Sequence, residues 1–180
     1  QSYEVGSIIE EAANEFQLEL KIYGDNYKSE NIRASSEGTT FDLITDNNEY
    51  KEIRLSLLGR HQAENSALGV GVAESLIGKL EQSKVKECFE KITWPGRMEI
   101  VNQKPLTVLD GCINRNSASY VKEIIKEFKK ERVVFVIGIP DEKDFEGVLH
   151  EFSKDAYMII MTTTKHQHQK FTKQQQTKRS

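Results

Sequence analysis

Leu106-Thr107-Val108-Leu109-Asp110-Gly111-Cys112-Ile113-Asn114 reads as a short apolar strand that ends in a carboxylate and a glycine. Downstream, Val121, Ile124, Ile125 and Phe128 fall on one face of a helix, and Val133–Ile137 is a second apolar strand. Another helix carries Phe145, Val148, Leu149 and Phe152 on one face, and Tyr157–Met161 closes the alternation; the strand Met98–Val101 precedes it. This β-α-β-α-β rhythm predicts a parallel sheet covered on both sides, with right-handed crossovers. Such sheets hold ligands at the carboxyl ends of their strands, which is where Asp110 falls. Its carboxylate can accept hydrogen bonds from a ribose, and Gly111 permits close approach; a carboxylate capping the next helix is the competing reading.

Moving outward, Trp94-Pro95-Gly96-Arg97 stops helical structure and marks the best boundary in the chain. Before it, Val5, Ile8, Ile9, Ala12 and Phe16 recur at helical spacing and predict a helix with one stripe buried against a sheet. Leu18–Tyr23 alternates as a strand, Gly24-Asp25-Asn26 is a turn, and the polar Lys28–Gly38 stretch reads as a loop. The strand-like runs Thr39–Thr45 and Tyr50–Leu57 flank a hairpin turn at Asp46-Asn47-Asn48. From Gln62, the residues Ala67, Val70, Ala73, Leu76, Ile77 and Leu80 share one face of a long helix whose small residues allow close packing. A short helix over Lys84–Lys91 leads to the boundary.

The 180 residues suffice for one ordinary domain or two small ones, and 37% hydrophobic content supports a packed core. With 25 basic and 28 acidic residues the net charge is -3, which gives no reason to expect a nucleic-acid or membrane-surface partner. No apolar run is long enough to span a bilayer, and the chain is expected to be cytoplasmic. Cys88 and Cys112 lack metal or redox spacing and read as free thiols. The four histidines, His61, His150, His166 and His168, form no ligand cluster, and no metal site is expected. Ser117 and Ser119 sit at an expected helix start, where serines cap. Residues 165–180, with five basic side chains and a glutamine run, are expected to be a basic, disordered tail.

Two more polar signals join Asp110. Leu58-Gly59-Arg60-His61-Gln62-Ala63-Glu64-Asn65 stands between a strand and a helix, where polar ligands are often held. The Asn65 amide can donate and accept, which suits an adenine edge, though a capping role explains it equally well. Arg97 can grip phosphate oxygens by charge-assisted hydrogen bonds, or serve as a surface ion-pair partner.

The order of these elements is more specific than any of them alone. Gly59-Arg60-His61-Gln62 with Asn65, then Trp94-Pro95-Gly96-Arg97-Met98-Glu99, then Leu109-Asp110-Gly111 with Asn114, resembles the folylpolyglutamate/dihydrofolate synthase branch of the Mur ligase superfamily. Asp141-Glu142-Lys143-Asp144 resembles that family's Asp-Lys-Asp turn, and the likeness runs to about Thr164. Gln62 and Trp94 favour the folate branch over the cell-wall ligases. The resemblance implies an α/β chain: residues 1–92 as the end of a central ATPase domain, and residues 93–164 as a shortened Rossmann-like domain. It further implies ATP with Mg2+ as cofactors, bound in the cleft between the domains, and folate or dihydropteroate and glutamate as the partners of the whole enzyme. By this likeness Asn65 meets adenine, Arg97 the phosphates and Asp110 the nucleotide from the second domain, with His61 and Gln62 completing the ATP site.

Two departures qualify that expectation. Where the family reads Asp-Gly-Ala-His-Asn-Pro, this chain has Asp110-Gly111-Cys112-Ile113-Asn114-Arg115, and isoleucine cannot replace the histidine's hydrogen bond. Arg115 is a candidate compensating charge. The sequence also holds no Gly-x-x-x-x-Gly-Lys-Ser/Thr phosphate loop, so no catalytic residue is assigned and no ligase activity is expected of this polypeptide alone. The alternatives are a non-catalytic nucleotide-binding or interaction module, and an amide ligase of the Mur or cyanophycin type.

Overall fold

The computed structural model describes residues 3–140 and 142–162. Helix α1 spans Tyr3–Glu15, and strands β1 (Tyr27–Ser35), β2 (Gly38–Thr45) and β3 (Glu49–Leu55) form an antiparallel sheet in that order. Helices α2 (Arg60–Ile77) and α3 (Gln82–Lys91) follow. Alternation along the strands sends Phe41 and Leu43 of β2, and Tyr50, Ile53 and Leu55 of β3, into a core closed by Ala63, Ala67 and Val70 of α2 and Val85 of α3. Alanine on the α2 face lets the helix lie close to the sheet, as its sequence suggests.

Three local expectations in this half are corrected. The predicted stripe on α1 is helical, but only Ala13 is buried; Ile8 is 65% and Phe16 67% exposed, because no sheet among the described residues lies against it. Leu18–Tyr23 is not a strand: Asn26 Oδ1 accepts the Ile22 N–H at 2.9 Å and turns the chain, leaving one isolated bridge between Tyr23 and Tyr27. The stretch read as a loop over Lys28–Gly38 is mostly β1, an edge strand that tolerates polar residues because only Tyr27 and Ser29 are buried, with Ile32 and Ala34 partly covered by the two cores. Ser29 Oγ secures that edge by donating to the Ala63 carbonyl at 2.8 Å.

The α2 face also ends differently from its apolar pattern. Leu76 and Ile77 are 78% and 74% exposed, while Glu74 is buried. The Glu74 carboxylate accepts hydrogen bonds from the Tyr50 hydroxyl and from the Asn48 amide. Burial and the neighbouring Glu74 push the Tyr50 hydroxyl up to about 12. Burial opposes the charge on Glu74, but hydrogen bonds from Thr45, Tyr50 and Asn48 outweigh it and hold the carboxyl below its ordinary value.

The second half contains β4 (Glu99–Gln103), β5 (Leu106–Leu109), α4 (Arg115–Glu127), β6 (Val134–Ile137), α5 (Phe145–Ser153) and β7 (Met158–Met161). Its α/β alternation is as expected, but the single parallel sheet is not. β5 pairs antiparallel with β4, since the short connection between them closes a hairpin and cannot supply a crossover. Parallel pairing occurs between β6 and β7, in register from Val134 with Met158 to Ile137 with Met161. Helices cover one face only: Val134 and Val136 are 48% and 66% exposed on the other. The buried face gathers Phe135, Ile137, Ala118, Val121, Ile124, Val148 and Phe152 into a second core. Leu58, from the turn before α2, belongs to this second core and ties the two halves together.

Helices α4 and α5 are joined by charge as well. Glu151, buried on α5, accepts from Arg115 Nε at 3.0 Å and Lys122 Nζ at 2.9 Å. Lys122, then Arg115, hold its carboxyl down to about 2 from an ordinary 4.5. A carboxyl depressed in the folded state favours folding above its unfolded value and loses that contribution as pH falls through the folded one. Glu151 should therefore contribute to a decline of stability between about pH 4.5 and 2 that Glu151→Gln makes shallower, the rest belonging to other depressed carboxyls such as Glu74; an unchanged acid limb in the variant would contradict this. The expected Asp141–Asp144 turn is partly visible: Asp141 lies outside the described residues, whereas Asp144 accepts from Gly147 N and Arg115 N, both at 2.9 Å, and so caps α5 and meets the start of α4. Among the described residues no helix is long and apolar enough to cross a membrane. The expected tail, with His166 and His168, also lies outside the described residues.

Candidate functional site

The turn from β3 into α2 places the first residues of the site. Gly59 is the α2 N-cap at φ 113, a left-handed region that favours glycine, and a Cβ there would meet the His61 ring at 2.8 Å. The His61 ring stacks on Tyr120 of α4 with centroids 4.7 Å apart and planes 27° apart. Its Nε2 lies 3.0 Å from the Gln62 side-chain nitrogen, and its Nδ1 is buried with no hydrogen-bond partner in the chain. Burial lowers the His61 pKa, against the pull of Asp110 and Glu64, so the ring is held neutral more firmly than a free imidazole. Gln62 is buried at 8% exposure and turned toward that ring.

One turn further along α2, Asn65 is exposed, and its side chain makes no hydrogen bond within the described residues. It does not cap α2, whose N-cap is Gly59; the capping alternative is set aside. Arg97 follows the Trp94 turn, where its N–H bonds the Trp94 carbonyl at 3.2 Å. Its side chain forms no ion pair, which sets aside the surface ion-pair alternative. The guanidinium instead lies over Gly111: a Cβ on that glycine would stand 2.6 Å from Nη1. The Gly111 N–H bonds the Gly96 carbonyl at 2.9 Å, which holds the two glycine turns side by side.

Asp110 closes β5 and is half-buried. Its Oδ2 accepts the Met98 N–H at 3.0 Å, so it bridges the start of the hairpin and does not cap α4. Because β5 pairs with antiparallel β4, Asp110 ends a strand of a hairpin, which corrects its predicted place in a parallel sheet. Asn114 takes the capping role, in a reciprocal box with Ser117, in keeping with the expected function of that serine. Burial, then Asp110, pushes the Cys112 thiol up to about 12, which makes it a poor nucleophile. Ile113 is 39% exposed. Arg115, a candidate for replacing the missing histidine's polarity, is drawn away to Glu151; that expectation is corrected.

These pieces enclose one cleft of about 1240 Å³ between α2, α3 and the Trp94 and Asp110 turns. His61, Gln62, Asn65, Arg97 and Asp110 all line it, though they are separated by up to about a quarter of the chain. The cleft is roomy for a nucleotide, since ligand sites run to about 300–1,000 Å³. Its chemistry joins an amide, a guanidinium and a carboxylate with apolar wall from Val70, Ala73 and Val85. Tyr120 and Trp94 line it too; Tyr120 went unread in the sequence because it stands beside the apolar face of α4, with no motif around it. No group of three or more His, Cys, Asp or Glu side chains suited to a metal converges among the described residues. A second cavity, about 310 Å³, lies between β5 and β6 with apolar walls that include Val108 and Phe135.

Comparison with known proteins adds relatives to this geometry. No protein-family model matches the chain. A dihydrofolate synthase/folylpolyglutamate synthase of Bacillus subtilis is 30% identical over 134 residues, covering 72% of this chain and 31% of that protein. A protein of the same description from Mycobacterium tuberculosis is 31% identical over 119 residues, covering 63% of this chain and 24% of that one. The chain thus spans about a third or less of these relatives. Among solved structures, the Mycobacterium tuberculosis folylpolyglutamate synthase in complex with ADP and AMPPCP superimposes with a TM-score of 0.88 at 22% identity, covering 93% of this chain and 38% of that one. The Thermotoga maritima folylpolyglutamate synthase gives 0.75 at 22% identity, over 97% and 42% of the two chains.

Proposed function

Because this chain matches the carboxyl-terminal portion of folylpolyglutamate/dihydrofolate synthases in both sequence and fold, we propose that it forms one side of the nucleotide site of an ATP-dependent ligase. The observation that carries the reading is the single cleft shared by Asn65, Arg97 and Asp110. Asn65 presents an unengaged amide to the adenine edge. Arg97, exposed and without an ion pair, is available to the phosphates, and the Asp110 carboxylate, which accepts from the Met98 N–H through Oδ2, is the acceptor for a ribose hydroxyl. His61 and Gln62 shape the wall behind Asn65. Residues 1–92 and 93–164 act as the two lobes that flank the nucleotide.

In the whole protein, ATP with Mg2+ activates a carboxylate of dihydropteroate or a folate as an acyl phosphate, and the glutamate amine displaces phosphate to form the amide. This polypeptide supplies nucleotide contacts only. No described cluster suits Mg2+ and no glycine-rich loop cradles a triphosphate, so those parts come from elsewhere in such an enzyme. The reaction is a cytoplasmic one. Ile113 favours a second reading, a nucleotide-binding module without catalysis, because it removes a polar contact from the same cleft.

Calorimetric titration of the chain with ATP and Mg2+ tests the division of labour. Affinity weaker than millimolar is expected, since the phosphate cradle is missing. Submicromolar binding would show that this polypeptide carries a complete site of another design.

A further inference from the structure

Only one aromatic stack joins the two lobes among the described residues, and it sits on the wall of the cleft. His61 belongs to the first turn of α2, while Tyr120 projects from the second turn of α4. Their rings lie 4.7 Å apart and 27° from parallel. Gly59 also lies against the imidazole, and its missing Cβ would otherwise stand 2.9 Å from Nδ1. That glycine position also stands 3.6 Å from Ile124 of α4, and Leu58 beside it is buried in the second core. The turn that aims α2 is therefore gripped from the far lobe.

We propose that Tyr120 is a positioning residue for the nucleotide cleft: by stacking on His61 across the lobe boundary, it fixes the start of α2 and thereby the distance from Asn65 to Arg97 and Asp110. The inference rests on the nucleotide reading of the cleft and extends it to a residue that touches the site's wall and not the reacting groups. The geometry explains why an imidazole with a buried, unpartnered Nδ1 is tolerated at this point. The Gln62 amide engages the other ring nitrogen at 3.0 Å, and the flat face of Tyr120 covers the ring, so the stack fixes it where hydrogen bonds do not. The charged groups acting on this imidazole are Asp110, Glu64, Arg97 and Glu123, which come from both lobes. Their balance reports whether the lobes keep their spacing.

The test combines two nuclear magnetic resonance readouts on the intact chain: the slope of the Asn65 and Gly111 shifts against ADP concentration, and the titration of the His61 ring. Tyr120→Phe, which keeps the ring, should leave both near wild type. Tyr120→Leu and Tyr120→Ala should reduce the ADP slope about tenfold, the upper worth of one aromatic stack. They should also raise the His61 midpoint toward its ordinary 6.5, because the cover that disfavours its charge is gone. If the alanine variant does not fold, the leucine variant decides. An unchanged ADP slope in a folded variant overturns the inference, as does a reduced slope with an unmoved His61 titration. If the wild-type chain itself shows no ADP-dependent shift at Asn65 or Gly111, the nucleotide reading fails and the inference falls with it.

Discussion

Phe152→Ala should destabilise the chain by about 3–5 kcal/mol, the usual cost of removing a buried phenyl ring. Phe152 is 4% exposed and lies flat on Phe135, with centroids 4.2 Å apart and planes 8° apart. It closes the second core from α5, against the buried face of the β6–β7 pair. Against a total stability of about 5–15 kcal/mol, that loss takes up much of the margin. A fall in melting temperature of about 10 °C or more should be seen by thermal denaturation. Phe16→Ala is the internal control: the ring is 67% exposed, and its loss should change stability by less than about 0.5 kcal/mol. Equal effects of the two substitutions would mean that the second core is not packed as described.

Arg97→Ala should do the reverse, with stability preserved and nucleotide response lost. The side chain is exposed and forms no ion pair, so its removal leaves nothing buried unpaired. A guanidinium on phosphate contributes about 1.5–3 kcal/mol through charge-assisted hydrogen bonds, so the ADP response should fall about ten- to a hundredfold. Arg115→Ala separates this from a general effect of positive charge. Arg115 is bound to Glu151, so its loss should lower stability and leave the ADP response in place. A matching loss of ADP response in both variants would point to long-range attraction and not to a specific contact.

Much of this arrangement is legible in the residues because it is local. Ser117 at the start of α4 and the stop at Pro95-Gly96 stand where the sequence places them, whereas the N-caps Gly59 and Asn114 are visible only in the fold. Alternation in β2 and β3 and the small-residue face of α2 also survive, since one packed side is enough to write a period into a sequence. What is lost is the identity of distant partners. Nothing in Leu106–Leu109 tells that its neighbour is antiparallel β4 and not β6, and nothing in Ile8 or Phe16 tells that their stripe stays open. Glu74 shows the same limit from the polar side: its burial depends on a tyrosine and an asparagine brought in from the β2–β3 hairpin. At the site, the ordered motifs name Asn65, Arg97 and Asp110, whereas Tyr120 becomes visible only when α4 meets the turn before α2.

The most direct measurement is the chemical-shift footprint of ADP on the isotope-labelled chain, followed at the Asn65 side-chain amide, the Arg97 side chain and the Gly111 backbone. All three should move together on a single dependence on ADP concentration, with Val134 and Ile137 beside the smaller cavity unaffected. Shifts confined to that cavity, or a response of Asn65 independent of Arg97 and Gly111, would contradict a shared nucleotide site between the lobes.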